Sequence, residues 1–121
     1  MKSYWMEIIG ETAQLEIRDV ATPVPAANQL LVRMHAASLN RGEFITGHGL
    51  HKAGAAKAIG TDGAGLVTDI GSGVSGFKVG DRVMGRCAGA FSEYALMSTA
   101  EAMHIPSHLS WEHAASVPLT F

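Results

Sequence analysis

Apolar and polar side chains alternate along the first forty residues with the period of two that is typical of half-buried strands. The alternation predicts strands over residues 4–9, 13–18 and 29–38, the first two of which form an antiparallel hairpin. In residues 13–18, Leu15 and Ile17 define the face that is predicted to be buried. The third run is the strongest, and its apolar face consists of Leu30, Val32, Met34 and Ala36. The N-terminal third of the chain is therefore predicted to be β-structure.

A glycine-rich stretch from residue 60 to residue 85 organises the middle of the chain, because eight of its positions are glycine. Two β-prone runs, residues 66–70 and 82–84, lie between these glycines. Glycine at this density favours tight turns and close backbone approach over helix. The stretch is predicted to form two antiparallel strands joined by a glycine-rich loop.

Within this stretch, residues 71–76 match the G-x-G-x-x-G string of dinucleotide-binding loops. Such a loop opens a helix directly after its strand, inside a βαβ unit. Here Gly80 and Asp81 break the chain after only a few further residues, so no crossover helix fits. The string is therefore predicted to be a turn-rich loop and not a phosphate-binding site.

The C-terminal third adds short strands, predicted over residues 91–97 and 102–105, and a short helix over residues 111–115 with Ser110 as its N-cap. A second short helix is predicted over residues 40–46. Many short strands with two brief helices predict a mainly β fold, a closed or partly closed antiparallel β-barrel with two or three short helices.

The segment from residue 40 to residue 59 differs from the strands on both sides. Asn40 can cap the predicted helix, and Glu43 at the third helical position approximates a capping box. Residues 49–59 show no clean period and are predicted to be a mobile loop.

The composition excludes several classes of protein but does not identify a function. A chain of 121 residues with a net charge of −2 is one domain without a basic surface for nucleic acid. Cys87 is the only cysteine, which excludes an intrachain disulfide and a thiolate zinc cluster and suits a reducing cytosol. No apolar run approaches membrane-spanning length, and no signal-peptide core follows Met1. We expect a cytoplasmic protein without nucleic-acid or membrane partners.

Several motifs follow one another in a distinctive order, namely ASLN at residues 37–40, GTDGAGLV at 60–67, IGSGVSGFKVGDRVMG at 70–85, GAFSEYALM at 89–97 and ASVPLTF at 115–121. Together they resemble the N-terminal, GroES-like domain of the medium-chain dehydrogenases/reductases. Within that family they are most similar to the zinc-free quinone oxidoreductases. The resemblance covers nearly the whole chain, from about residue 29 to residue 121.

The resemblance implies an NADPH-dependent reductase that transfers a hydride to quinones or conjugated enones. In such enzymes the GroES-like barrel forms one wall of the active-site cleft, and a Rossmann domain that would begin just after Phe121 carries the nucleotide. Residues 1–121 are therefore predicted to be the GroES-like domain without its Rossmann domain, inactive as an isolated fragment. The apolar end of the chain also suggests a cut inside a longer protein, although a C-terminal helix docked on the barrel is the alternative.

The resemblance also implies a site without zinc. Zinc-dependent relatives carry a catalytic cysteine where this chain has Asn40, and a His-Glu pair where it has Thr61 and Asp62. Zinc needs three or four converging N, S or O ligands, and the closest histidine pair in the sequence, His48 and His51, supplies only two. We therefore predict no metal. Without a Lewis acid the acceptor must already be polarised, which favours enones and quinones over alcohols.

Candidate site residues follow from the same resemblance. Asn40 is predicted to hydrogen-bond the nicotinamide ribose or the substrate carbonyl, unless it serves only as a helix N-cap. Thr120 is predicted to approach the nicotinamide, and Asp62 is predicted to act as a catalytic acid, with a purely structural hydrogen-bonding role as the alternative. The residues predicted to line the substrate pocket are Arg41, Phe44 and Ile45. The alternatives are that Arg41 is an exposed residue of the first helical turn and that Phe44 fills the core.

Two further possibilities concern the same chain. The barrel could be a stand-alone binding module similar to a co-chaperonin, or the enoyl reductase segment of a larger synthase. If the chain is an excised half, an apolar face meant for the Rossmann domain is exposed, and we expect copies to associate through it.

Overall fold

The computed structural model describes residues 1–39 and 56–120, and strands dominate this part of the chain. In chain order its elements are β1 (Lys2–Ile9), β2 (Thr12–Asp19), β3 (Gln29–Ala37), β4 (Lys57–Ala58), β5 (Asp62–Ile70), β6 (Arg82–Arg86), β7 (Tyr94–Ser98), β8 (Met103–His104), α1 (Trp111–Ala115) and α2 (Val117–Thr120). The strands form two antiparallel sheets, sheet A with the order β2-β1-β4 and sheet B with the order β7-β3-β5-β6-β8. The mainly β class and the short helices are confirmed, and the described sheets are not closed into a barrel.

The hairpin of β1 and β2 confirms the first two predicted strands. The two strands pair along their full length through a turn at Gly10, whose φ of +63° lies in the region that favours glycine. The prediction that β2 is half-buried is wrong. Leu15 and Ile17 are 60% and 58% exposed, because among the described elements β2 has substantial contacts with β1 only, so nothing packs over its apolar face.

The centre of sheet B is the glycine-rich pair that the sequence predicts. β5 pairs with β6 on one side and with β3 on the other, and the loop between β5 and β6 contains turns and no helix. β5 begins at Asp62, earlier than predicted, because its pairing with both neighbours continues to that residue or the next. Gly65 allows the close approach of β3, since a Cβ atom there would lie 2.2 Å from the carbonyl oxygen of Arg33.

Two apolar clusters hold sheet B together. The larger consists of Leu30, Val32, Val67, Val83, Cys87, Ala90, Ala95 and Met97. The smaller lies where α1 packs on the sheet and consists of Ala64, Met84, Ile105, Ala114 and Ala115. As predicted, Ser110 caps α1, and its Oγ accepts a hydrogen bond from the backbone N–H of His113 at 3.2 Å.

Three predicted segments differ from the structure. The predicted loop over residues 49–59 includes β4, which pairs with Trp5 and Met6 of β1. The strand predicted from residue 91 begins at Tyr94. Before that residue the backbone of Phe91 hydrogen-bonds to Tyr4 and Ile59, and the Glu93 N–H donates to Lys2. The strand predicted over residues 102–105 shortens to β8. The predicted helix over residues 40–46 lies outside the described residues.

The two sheets meet through a small group of contacts. Ser3 of β1 and Ser92 form an isolated β-bridge, and their Oγ atoms are 2.6 Å apart. Beside this bridge the backbone N–H of Tyr4 donates to the carbonyl oxygen of Phe91 at 2.9 Å. Ser3 is buried, so these contacts tie sheet A to the segment that precedes β7.

Candidate functional site

Asp62 is a fully buried carboxylate at the first position of β5. Its Oδ1 atom accepts a hydrogen bond from the Ser38 hydroxyl at 2.5 Å and another from the Thr61 hydroxyl at 3.1 Å. A buried carboxyl group requires such partners, because an unsatisfied polar group in an apolar interior is costly. The structure thus places one predicted site residue at the end of the central strand pair, inside a hydroxyl cluster.

Ser38 is attached to Asp62 at two points. Besides the side-chain bond, its backbone N–H donates to the carbonyl oxygen of Asp62 at 3.3 Å. Ser38 directly follows β3, and the last registered pair of β3 and β5 joins Ala37 to Gly63. The chain therefore leaves β3 from a position that Asp62 fixes twice.

Cys87 lies next to this cluster, just after β6. Its backbone N–H donates to the carbonyl oxygen of Thr61 at 2.8 Å, and its side chain is buried. Burial raises the pKa of the thiol to about 12, with smaller contributions from the negative charges of Asp62 and Glu101. The thiol therefore stays protonated at neutral pH, which agrees with a small buried cysteine and not with a reactive nucleophile.

An open cavity lies beside the end of β3. Its volume is about 610 Å³, and its lining includes Ala36, Ala37 and Leu39 together with His35 and Phe91. Most of the lining is apolar, as is usual for sites that bind small molecules. The residues on both sides of Ser38 thus face a space of the size that a small substrate needs.

Thr120, the predicted nicotinamide contact, belongs to α2. This helix packs against β6 and β5, the two strands whose ends meet where Asp62 lies opposite Arg86. The helix that contains Thr120 therefore packs on β5 and β6, and β5 begins with Asp62. The remaining predicted site residues, Asn40, Arg41, Phe44 and Ile45, lie outside the described residues.

The part of the chain that the structure describes holds no candidate metal centre. No group of three or more His, Cys, Asp or Glu side chains there could hold a metal ion. The histidine pair of the sequence, His48 and His51, lies outside that part. Among the described residues, no helix is long and apolar enough to cross a membrane.

Sequence reasoning did not identify Ser38 as a site residue. The pairing of β3 with β5 brings it to Asp62, because a residue just after one strand lies beside the start of its antiparallel neighbour. The sequence carries no signal that fixes this register. The motif ASLN contains both residues, but the resemblance assigned a role to Asn40 only and none to the serine two positions earlier.

The described fold consists of two antiparallel sheets and two short helices, with a buried carboxyl group at the start of the central strand β5. The family model of the alcohol dehydrogenase GroES-like domain matches residues 26–107. The chain belongs to this family.

Two relatives are much longer than this chain. The chain is 37% identical over 113 residues to a quinone oxidoreductase of Pseudomonas aeruginosa, a match that covers 91% of the chain and 35% of the relative. It is also 46% identical over 63 residues to the polyketide synthase GfsB of Streptomyces halstedii, covering 52% of the chain and 1% of that protein. The chain thus spans about a third of the length of the quinone oxidoreductase.

Solved structures show the same likeness. The mycobacterial protein Rv1454c, determined in complex with NADPH, superposes with a TM-score of 0.86 at 26% sequence identity. The superposition covers 98% of this chain and 36% of that protein. The fold predicted from the order of motifs is therefore confirmed.

Proposed function

We propose that residues 1–121 form the GroES-like domain of an NADPH-dependent oxidoreductase that reduces quinones or conjugated enones by hydride transfer. The observation that carries this proposal is the similarity to a quinone oxidoreductase over 91% of the chain. The similarity to a fold solved with NADPH supports the choice of cofactor. The nucleotide itself would be held mainly by a Rossmann domain outside residues 1–121, since the glycine string at residues 71–76 is a loop between two strands.

Within this proposal the site residues have distinct roles. Asn40 would contact the nicotinamide ribose or the substrate carbonyl, and Thr120 would approach the nicotinamide. Arg41, Phe44 and Ile45 would line the pocket for the acceptor. Asp62 is predicted from the sequence to be catalytic, but its full burial favours a role behind the surface of the site.

The reaction would proceed without zinc. By resemblance to zinc-dependent relatives, Asn40, Thr61 and Asp62 stand where those enzymes have a cysteine and a His-Glu pair, and an amide and a hydroxyl are poor zinc ligands. Hydride transfer would then depend on an acceptor whose carbonyl is already conjugated. Hydrogen bonds to the oxygen that gains negative charge would supply the electrostatic stabilisation.

The experiment is a rate measurement on the complete protein that the reading frame encodes. Oxidation of NADPH is followed by absorbance with 1,4-benzoquinone or with an enone, with and without a metal chelator. We expect turnover that the chelator leaves unchanged, and no turnover by residues 1–121 alone. Loss of activity on chelation would contradict the zinc-free mechanism, and absence of turnover with both acceptors would contradict the function.

A second candidate is an enoyl reductase segment of a polyketide synthase, which the match to GfsB favours. Both candidates transfer a hydride to a conjugated carbonyl, but the synthase acts on a thioester. Comparison of crotonyl-N-acetylcysteamine with 1,4-benzoquinone separates them. A kcat/KM at least tenfold higher for the thioester would support the synthase segment.

The remaining expectations about the intact protein are proposals as well. We propose a cytoplasmic location and a small-molecule quinone or enone as the partner. We also propose association of copies of residues 1–121 through the apolar face that the Rossmann domain would cover. Light scattering of residues 1–121 that shows a clean monomer at high concentration would contradict the association.

A further inference from the structure

The strand β2 is an edge of sheet A, where its only partner among the described strands is β1. In an antiparallel pair the backbone groups of successive residues point alternately toward the partner strand and away from it. The Val20 N–H donates to the Met1 carbonyl oxygen at 2.8 Å, and the Met1 ammonium group donates to the Val20 carbonyl oxygen at 2.6 Å. This mutual pair fixes the alternation along the register of the hairpin. The residues of β2 whose backbone groups point away from β1 are therefore Asp19, Ile17, Leu15 and Ala13.

This edge lacks the features that commonly protect an exposed edge strand. Such strands are usually short, or they carry lysine, proline or a β-bulge. β2 is eight residues long, pairs with β1 in one continuous register, and contains neither lysine nor proline. Its apolar side chains Leu15 and Ile17 are exposed on one face. The strand therefore presents both free backbone groups and apolar surface to an incoming strand.

The sequence of β2 is suited to pairing with a second copy of itself. Two copies related by a two-fold axis align most of the strand in two registers, which place either Leu15 or Glu16 opposite its own copy. The register on Glu16 sets two carboxylates directly opposite each other, and like charges in that position destabilise a sheet. The register on Leu15 avoids this contact.

In the register on Leu15 the apolar face continues across both strands. Leu15 lies opposite Leu15 of the second copy, and Ala13 lies opposite Ile17. On the other face Glu16 lies opposite a neutral glutamine, so its ion pair with Arg18 of the same strand is retained. Apolar cross-strand pairs stabilise a sheet, so this register is favoured by both faces.

We propose that the free edge of β2 is a docking surface for a second copy of this chain, which pairs β2 with β2 in antiparallel orientation and places Leu15 at the two-fold axis. The pairing joins the two copies of sheet A into one continuous sheet and satisfies the backbone groups that point away from β1. An interface of one strand pair is small, so the dimer is weak and reversible. The inference uses the edge strand alone and does not depend on the proposed reaction or cofactor.

Sedimentation velocity of the 121-residue chain, between about 10 µM and 1 mM, measures this association. We expect a monomer–dimer equilibrium for the wild type and a Kd at least about tenfold higher for L15K, because the charge enters the apolar stripe. V79K is the matched control, since Val79 is 59% exposed, close to the 60% of Leu15, and lies between β5 and β6. Its Kd is expected to stay within about twofold of the wild type.

A second variant tests the backbone contribution separately. The N–H of Ala13 points away from β1, so proline at this position removes no hydrogen bond of the hairpin but blocks an incoming strand. We expect A13P to raise Kd at least about tenfold while its far-UV circular dichroism and urea midpoint stay close to those of the wild type. A wild-type chain that is monomeric throughout the concentration range would overturn the proposal. Equal Kd values for L15K and V79K would overturn it as well, because the copies would then associate through another face.

Disulfide cross-linking tests the register. In the proposed dimer the two residues at position 15 are a hydrogen-bonded pair with Cα atoms about 5.5 Å apart, within the reach of a disulfide. The two residues at position 17 are offset by about 13 Å along the strands. Oxidation by copper phenanthroline should therefore cross-link L15C at least about tenfold faster than I17C. The native Cys87 is buried and does not compete. Cross-linking of I17C at an equal or higher rate would overturn the proposed pairing.

Discussion

At the scale of single residues, strand pairing determines which side chains meet in the candidate site. Asp62 is a candidate because of its motif, but its partner Ser38 is 24 residues away and becomes a neighbour only through the register of β3 and β5. That register contains two irregularities, one after Leu31 and one after Met34. No local rule places such irregularities from one sequence, so the contact could not be predicted.

The glycines of β5 give a sharp residue-scale prediction. A methyl group on Gly65 would lie 2.2 Å from the Arg33 carbonyl oxygen and 2.7 Å from Cγ1 of Val32. Because the strand lies in the middle of sheet B, neither neighbour can retreat without breaking the pairing. We expect Gly65→Ala to lower the free energy of unfolding by about 3 kcal/mol, measured by urea denaturation.

Gly10→Ala is the matched control for this substitution. A Cβ atom on Gly10 would meet no heavy atom within 4 Å, so the variant is strained only by its φ of +63°. Its cost is expected to be about 1 kcal/mol. An equal or smaller cost for Gly65→Ala would contradict the close packing of β3 on β5.

Cys87 leads to a prediction about pH. Its pKa is raised from 9.0 to about 12, so above pH 9 the unfolded chain loses a proton that the folded chain retains. The contribution of the buried thiol to stability is therefore complete below pH 9 and is lost as the pH rises toward 12. Between about pH 8 and pH 10 the wild type should lose about 1.4 kcal/mol more stability than Cys87→Ala. Urea denaturation at the two pH values measures the difference, and parallel losses in the two proteins would contradict the raised pKa.

At the scale of elements, the period-two pattern and the glycine positions predict most strands. The errors occur where the burial or pairing of a strand depends on residues that are distant in sequence. β1, β3 and β6 overlap the predicted runs, and β5 extends its predicted run toward the N-terminus; their side chains contribute to the apolar clusters. β4 has no signal in the sequence because two residues are too few to show a period, and its pairing with β1 depends on residues far away in sequence. The exposure of β2 could not be predicted, because an alternating pattern does not reveal an edge strand.

The stability of helix α1 depends on its N-cap. Ser110 Oγ accepts from the His113 N–H, and the Ser110 carbonyl oxygen accepts from the Ala114 N–H, so one residue organises the first turn. We expect Ser110→Ala to lower the free energy of unfolding by about 1 kcal/mol and Ser110→Gly by a few tenths. The exposed Ser107, changed to Ala, is the control and should cost less than about 0.5 kcal/mol. A Ser110→Ala cost no larger than that of the control would show that the cap does not stabilise α1.

At the scale of the whole molecule, the family could be predicted and the assembly of the sheets could not. The order of five motifs identified the GroES-like domain, because such an order is far more specific than any single string. How sheet A attaches to sheet B has no such signature. It involves Ser3 and Ser92, two small polar residues 89 positions apart, which become hydrogen-bond partners only in the folded chain.

This attachment yields a prediction about cooperativity. If the hydroxyl pair of Ser3 and Ser92 joins the two sheets, Ser3→Ala or Ser92→Ala leaves one hydroxyl without its partner and should cost about 1–2 kcal/mol. The double variant should cost about 1 kcal/mol less than the sum of the two, because the second substitution removes the group that the first left unpaired. Urea denaturation of the four proteins measures this coupling, and a single transition with an unchanged m-value would show that the sheets still unfold as one unit. Additive costs, or a separate transition for the hairpin in the wild type, would mean that the attachment resides in the backbone bonds near Tyr4 and Phe91 instead.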